Sequence, residues 1–218
     1  MLFRNRNDAA LKLVPHLEKY KPGGLVMAIP RGGVPIGNPI AKKLGIPMDL
    51  LLAKKIGHPL NPELAIGAVT TEGQFVEPGH QVPTGYINTE ISRIREVLND
   101  RHKKYMGTLK PHDMKGKNII IVDDGVATGS TILAAIEMLR RKDPARIIVA
   151  VPVSAPQAAE KIRKKADDFI CLYTPDSFLG VGQFYFDFSE VDDNAVMDLL
   201  MDANLAETKH EMKPRANP

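Results

Sequence analysis

Asp123 and Asp124 stand side by side at the end of the aliphatic run Ile119 to Val122, and Thr128-Gly129-Ser130-Thr131 follows after the short stretch Gly125-Val126-Ala127. An apolar run without alternation reads as a strand buried on both faces. Beyond Thr131 the apolar positions Ile132, Ala135, Ile136 and Leu139 recur at helical spacing. Two carboxylates at the end of such a strand can accept hydrogen bonds from a diol or sit beside a hydrated cation. Glycine and hydroxyl residues opening a helix offer free N–H groups and the positive end of its dipole to a phosphate. Either half alone is more simply a turn or a helix cap. Both halves in this order fit one ligand, a sugar with vicinal hydroxyls and a phosphate one ester bond away, as in ribose 5-phosphate.

Three further stretches could add chemistry. Pro30-Arg31-Gly32-Gly33 places two glycines before a helical pattern, so backbone can approach an anion closely while Arg31 adds a charged fork. Lys54 and Lys55 follow an apolar run and sit in Lys54-Lys-Ile-Gly-His-Pro-Leu-Asn-Pro62, which reads as a mobile loop containing His58. Phe178, Phe184 and Tyr185 lie in an aromatic stretch of a chain with only 6% aromatics, and could stack on a planar base or simply fill core.

The elements that must position these residues alternate. Helical periodicity covers 8–20, with Pro15 as a kink or a second start, and the segment through Ile36, Ile40 and Leu44. A long amphipathic helix covers about 88–106. Its basic face (Arg93, Arg95, Arg101, Lys103) is read as solvated, so no nucleic-acid partner is expected. Strands are predicted at 25–29, 48–53, 64–69, 119–122, 146–153 and 169–172, with a small hairpin over 71–76 and a helix at 156–166. Apolar strands alternating with helices predict an α/β doubly wound fold around a parallel sheet, with ligands at strand carboxyl ends near a switch point. Pro30–Gly33 and Asp123–Asp124 both fall at such ends. The expected organisation is one domain over 1–204 with a helical and hairpin insertion at about 71–115, a small C-terminal hood-like segment, and a frayed tail over 205–218.

Composition narrows the classes. Hydrophobic content of 44%, charged content of 25% and net charge +3 are those of an ordinary soluble globular chain. A single cysteine, Cys171, excludes an internal disulfide framework and a cysteine-rich zinc site. No membrane-spanning run or signal-peptide pattern is present, so the expectation is a cytoplasmic protein. Neither a P-loop nor a Gly-x-Gly-x-x-Gly fingerprint occurs.

Val122-Asp-Asp-Gly-Val-Ala-Thr-Gly-Ser-Thr131 closely resembles the phosphoribosyl pyrophosphate (PRPP) motif of type I phosphoribosyltransferases. With Pro30-Arg-Gly-Gly33, Lys55-Ile-Gly57, Asn61 to Gly67 and Phe184 to Phe188, the stretch from Phe3 to about Leu200 resembles a bacterial branch of that family without a settled acceptor. The resemblance implies that Asp123 and Asp124 take the ribose hydroxyls and, through them or through water, Mg²⁺. Gly125, Ala127, Thr128, Gly129, Ser130 and Thr131 would surround the 5-phosphate. It implies pyrophosphate on Arg31, Gly32 and Gly33, in a loop that often carries a cis peptide. It also implies a catalytic lysine or flexible lid around Lys54 or Lys55, between which the sequence does not choose.

The implied reaction is Mg²⁺-dependent transfer from PRPP to a nitrogen acceptor, a nucleobase or another small molecule, with a homodimer as the common assembly. Ala127 replaces the aspartate of hypoxanthine-guanine enzymes, which leaves a general base to be found elsewhere, with Glu63 and Glu72 as candidates. A non-catalytic PRPP sensor is the alternative for the same pocket.

Overall fold

The computed structural model describes residues 2–71, 73–76, 79, 81–107 and 109–211, with the side chains of Glu63 and of 206–211 left out. Five strands, β1 (Gly24–Ala28), β2 (Met48–Leu50), β6 (Asn118–Val122), β7 (Arg146–Val153) and β8 (Asp168–Tyr173), form an all-parallel sheet in the order β2-β1-β6-β7-β8. Strand alternation divides the core in two. Val26, Ala28, Ile120, Val122, Ile148 and Ala150 face one side with α1 (Arg6–Leu17) and α2 (Val34–Leu44). Leu25, Met27, Ile119, Ile121, Ile147 and Val149 face the other with α4 (Ser130–Arg140) and α5 (Pro156–Arg163). Ile119 to Val122 are fully buried, and each such side chain contributes roughly 1.5–3 kcal/mol.

The chain runs outward from β1 to β2, returns to β6 on the other side of β1, and continues outward through β7 and β8. The switch point therefore lies between β1 and β6, where crossovers diverge and leave a crevice. The Pro30–Gly33 loop and the Asp123–Thr131 turn leave the carboxyl ends of these two strands.

Several expectations change in the structure. The predicted strand over 64–69 does not join the parallel sheet. It is part of β4 (Asn61–Thr70), which pairs antiparallel with β3 (Ala53–His58) and β5 (Gln74–Val76) in a second sheet. Lys54–Pro62, read as a loop, is strand β3, a tight turn and the start of β4. This second sheet starts at Ala53 and is followed by α3 (Thr84–Met106). Helix α1 passes through Pro15 without stopping. The last helix, α6 (Asp193–Glu211), carries helical backbone past residue 204, while 212–218 of the predicted tail lie outside the described residues. Asn38 Nδ2 ties α2 to α6 through Leu199 O (2.8 Å) and Asp202 Oδ2 (2.9 Å).

Candidate active site

The turn after β6 is held by its neighbour β7. Val126 N donates to Val153 O (2.9 Å) and Ala155 N to Val126 O (2.8 Å), so Gly125–Ala127 cannot drift from the sheet edge. Gly129 then takes a left-handed conformation (φ 76°), which glycine adopts without steric cost, and α4 begins at Ser130 with no side-chain cap. The first helical bond is Leu133 N to Gly129 O (2.9 Å), and Thr128 Oγ1 lies 3.3 Å from Ser130 Oγ. Ala127 and Thr128 are exposed, while Ser130 and Thr131 are half-buried. The result is an open helix N-terminus with hydroxyls around it, suited to an anion.

Asp123 and Asp124 sit half-buried beside this turn. Asp123 Oδ1 accepts from Asp124 N (2.8 Å). Burial, and next the adjacent Asp124 charge, push the Asp123 carboxyl well above the usual carboxylate range. Burial also raises Asp124, against the opposing pull of Arg6. Arg6 Nε and Nη2 each reach Asp124 Oδ2 at 2.9 Å. Two carboxylates so placed offer acceptors to a diol and charge to a hydrated cation. Among the described residues no group of three or more His, Cys, Asp or Glu could hold a metal, so a cation here would depend on substrate and water oxygens.

The Pro30–Gly33 loop lies against the acid pair, and its Pro30–Arg31 peptide is cis. A Cβ on Gly32 would fall 2.1 Å from Asp124 Oδ2, so only glycine lets the loop meet the carboxylate. A Cβ on Gly33 would stand 2.6 Å from both Ile29 O and Val122 O. Gly33 N already donates to Ile29 O (2.8 Å), so this N–H is committed within the loop rather than offered to an anion. Among the described residues Gly32 N has no backbone acceptor. Arg31 Nη2 contacts Glu190 Oε1 at 2.6 Å, a pair whose side chains are 42% and 78% exposed.

The structure separates the two lysines. Residues directly opposed across antiparallel strands share a sheet face. Lys55 opposes Ala68, which opposes Phe75. Phe75 lines a groove of about 620 Å³ together with Ala127, Thr128 and Ser130. Lys54 opposes Val69, which opposes Gln74, the acceptor for Arg95 of α3. Lys55 is thus on the side of the motif turn and Lys54 on the side of α3.

His58 Nδ1 accepts from Leu60 N (3.2 Å) and shapes the hairpin turn. Glu72 and the Glu63 side chain lie outside the described residues. The stacking role suggested for Tyr185 and Phe184 does not fit. Tyr185 is buried between Phe3 and Phe188 with its hydroxyl on Asp124 O (2.6 Å), and Phe184 is buried against Tyr173 and Phe178. Phe178, half-buried, packs on that cluster. Cys171 is half-buried, with its thiol pushed up by burial, as suits a packing residue. Among the described residues no helix is long and apolar enough to cross a membrane.

Arg6 and Glu190 escaped sequence reading. Arg6 is 118 positions from its partner and belongs to no local pattern.

Comparison with known proteins agrees with this geometry. A relative from Mycobacterium tuberculosis (strain H37Rv) named "Putative phosphoribosyl transferase Rv0571c" is 32% identical over 206 residues. The match takes in 91% of this chain and 46% of the relative, so the chain spans about half the relative's length. The crystal structure of TT1426 from Thermus thermophilus superposes with a TM-score of 0.84 at 35% identity, over 93% of this chain and 99% of that one. The uracil phosphoribosyltransferase of Nicotiana tabacum is 36% identical over 77 residues, 34% of each chain. The phosphoribosyl transferase domain model matches residues 7–189, a span that holds the acid pair, the phosphate-type turn and the Arg31 loop, and the chain belongs to that family.

Proposed function

We propose that this protein transfers a phosphoribosyl group from PRPP to a nitrogen acceptor, releasing pyrophosphate, with Mg²⁺ bound alongside the substrate. The observation that carries this reading is the meeting of three parts at one switch point: the Asp123–Asp124 pair, the Thr128–Thr131 turn, and Gly32 packed against Asp124. The local likeness to a uracil phosphoribosyltransferase supports a nucleobase as the acceptor.

Displacement at the anomeric carbon builds positive charge on the sugar and negative charge on the leaving group. Asp123 and Asp124 hold the ribose hydroxyls and favour the cationic sugar, while the turn opening α4 anchors the 5-phosphate and fixes the sugar's orientation. Arg31 and the Gly32 N–H receive the departing pyrophosphate. Because the Arg31–Glu190 pair is exposed, it is worth only about 0–1 kcal/mol and yields readily to phosphate oxygens. Lys55 adds positive charge from the β3 side. Asp123 and Asp124 would hold a Mg²⁺ ion through bound hydroxyls or water, and the ion would supply Lewis-acid neutralisation of the leaving group.

One observation favours a second reading, a PRPP sensor without turnover. The segment read as a lid is paired into an antiparallel sheet, with Tyr86 Oη donating to Gly57 O (2.9 Å). Calorimetric titration of PRPP with Mg²⁺ tests the binding common to both. Wild type should bind, and the Asp123→Asn, Asp124→Asn double variant should bind at least about tenfold more weakly, since each lost charged hydrogen bond is worth roughly 1.5–3 kcal/mol. Equal affinity in the two proteins would contradict the assignment of the ribose to this acid pair.

A further inference from the structure

We propose that Arg6 is a positioning residue of the ribose site, which orients the Asp124 carboxylate so that its Oδ1 is presented to a sugar hydroxyl. This rests on the reading of Asp123 and Asp124 as the ribose acids and adds to it a residue from the other end of the chain. Arg6 opens α1, yet its guanidinium reaches across to the end of β6. Nε donates to Asp124 Oδ2 at 2.9 Å, Nη2 lies within ion-pair distance of the same oxygen at 2.9 Å, and Nη1 donates to Ser189 O at 2.8 Å. The guanidinium carbon lies 3.9 Å from the centre of the Phe188 ring. The Arg6 and Asp124 side chains are only 12% and 13% exposed.

Each contact removes a freedom. Phe188 fixes the plane of the guanidinium, Ser189 fixes its rotation, and the Nε bond with the close Nη2 charge then holds Asp124 Oδ2. The carboxylate packs against the Gly32 backbone at a place that a Cβ would occupy. Tyr185 Oη fixes the main chain of the same residue through Asp124 O (2.6 Å). Among the described residues no hydrogen bond from another residue reaches Asp124 Oδ1, while Oδ2 is committed to Arg6. That asymmetry is what an acid needs to recognise a hydroxyl at a fixed place, because the ordering is complete before the ligand arrives. A lysine would keep the charge and lose the fork.

The test uses the whole chain with ribose 5-phosphate, its 2-deoxy and 3-deoxy analogues, and inorganic phosphate, titrated calorimetrically into wild type, Arg6→Lys and Arg6→Met. Circular dichroism serves as the check on folding. In both variants ribose 5-phosphate affinity should fall about tenfold, while inorganic phosphate affinity stays within about twofold. The penalty that wild type shows for removing one of the two hydroxyls should disappear. Phe188→Leu, which removes only the ring against the guanidinium, should give a smaller loss in the same direction and carries the test if neither Arg6 variant folds.

Unchanged ribose 5-phosphate affinity overturns the proposal, as does a parallel loss of phosphate affinity, which would indicate a general structural role. Tighter binding also overturns it, since Arg6 would then be a competitor for Asp124. Failure of wild type to bind ribose 5-phosphate at all would instead overturn the ribose reading, and this inference with it.

Discussion

At the residue scale, the acid pair is where function and stability oppose each other. Burial raises both carboxyls above their ordinary range, Asp123 the more strongly because the Asp124 charge adds to it while Arg6 opposes the shift at Asp124. Between the unfolded carboxylate pKa and these raised values the folded state binds more protons than the unfolded chain. Stability contributed by the pair is therefore present at low pH and lost as pH rises through that window. Asp123→Asn removes one charge and should stabilise the protein near neutrality while weakening sugar binding, a trade common at active sites. Thermal unfolding should show a gain on the order of 2–4 °C at pH 7, the shift of about 1 kcal/mol at this chain length, shrinking toward pH 4. A lower Tm at pH 7 would contradict the assignment of strain to this pair. The acids and the phosphate-type turn were legible in the sequence because they are contiguous, so one local pattern holds the whole constellation. Arg6 was not, because neither its helical period nor its neighbours encode a partner at the far edge of the sheet.

At the element scale, the strand-ending loops set the site by close backbone approach. Gly32→Ala places a methyl 2.1 Å from Asp124 Oδ2, and either the loop or the carboxylate must move. PRPP affinity should fall about tenfold or more, with a stability loss of about 1–3 kcal/mol, as read by calorimetry and chemical denaturation. Wild-type affinity in this variant would show that the loop and the acid pair do not act together. The parallel-sheet strands were legible from their continuous apolar runs, and so was the crevice they create. The β3–β4–β5 sheet was not. Gly57, Pro59 and Pro62 punctuate its first turn like a loop, and the short apolar run within β4 has the composition of a core strand. Which sheet a strand joins is decided by pairing partners that its own residues do not specify. The same pairing separates Lys55 from Lys54, a distinction invisible in adjacent lysines.

At the scale of the whole molecule, the N-terminal segment and the 184–190 segment close the site together. Leu2 N and Phe3 N donate to Phe184 O (3.1 and 3.0 Å), while Phe186 N and Asp187 N return bonds to Phe3 O and Arg4 O (2.9 Å each). This pairing sets Tyr185, Phe188 and Glu190 over the switch point, where they meet Asp124, Arg6 and Arg31. The aromatic segment is therefore a structural clasp on the acid pair, which explains why its rings fill core. Whether the assembled site turns over is decided by pyrophosphate release from PRPP and Mg²⁺ over a panel of nucleobases and small amines. The expected result is acceptor-dependent release by wild type, abolished in the Asp123→Asn, Asp124→Asn double variant and slowed by Lys55→Ala but not by Lys54→Ala. No release with any acceptor, while PRPP still binds, would contradict the transferase and leave a sensor.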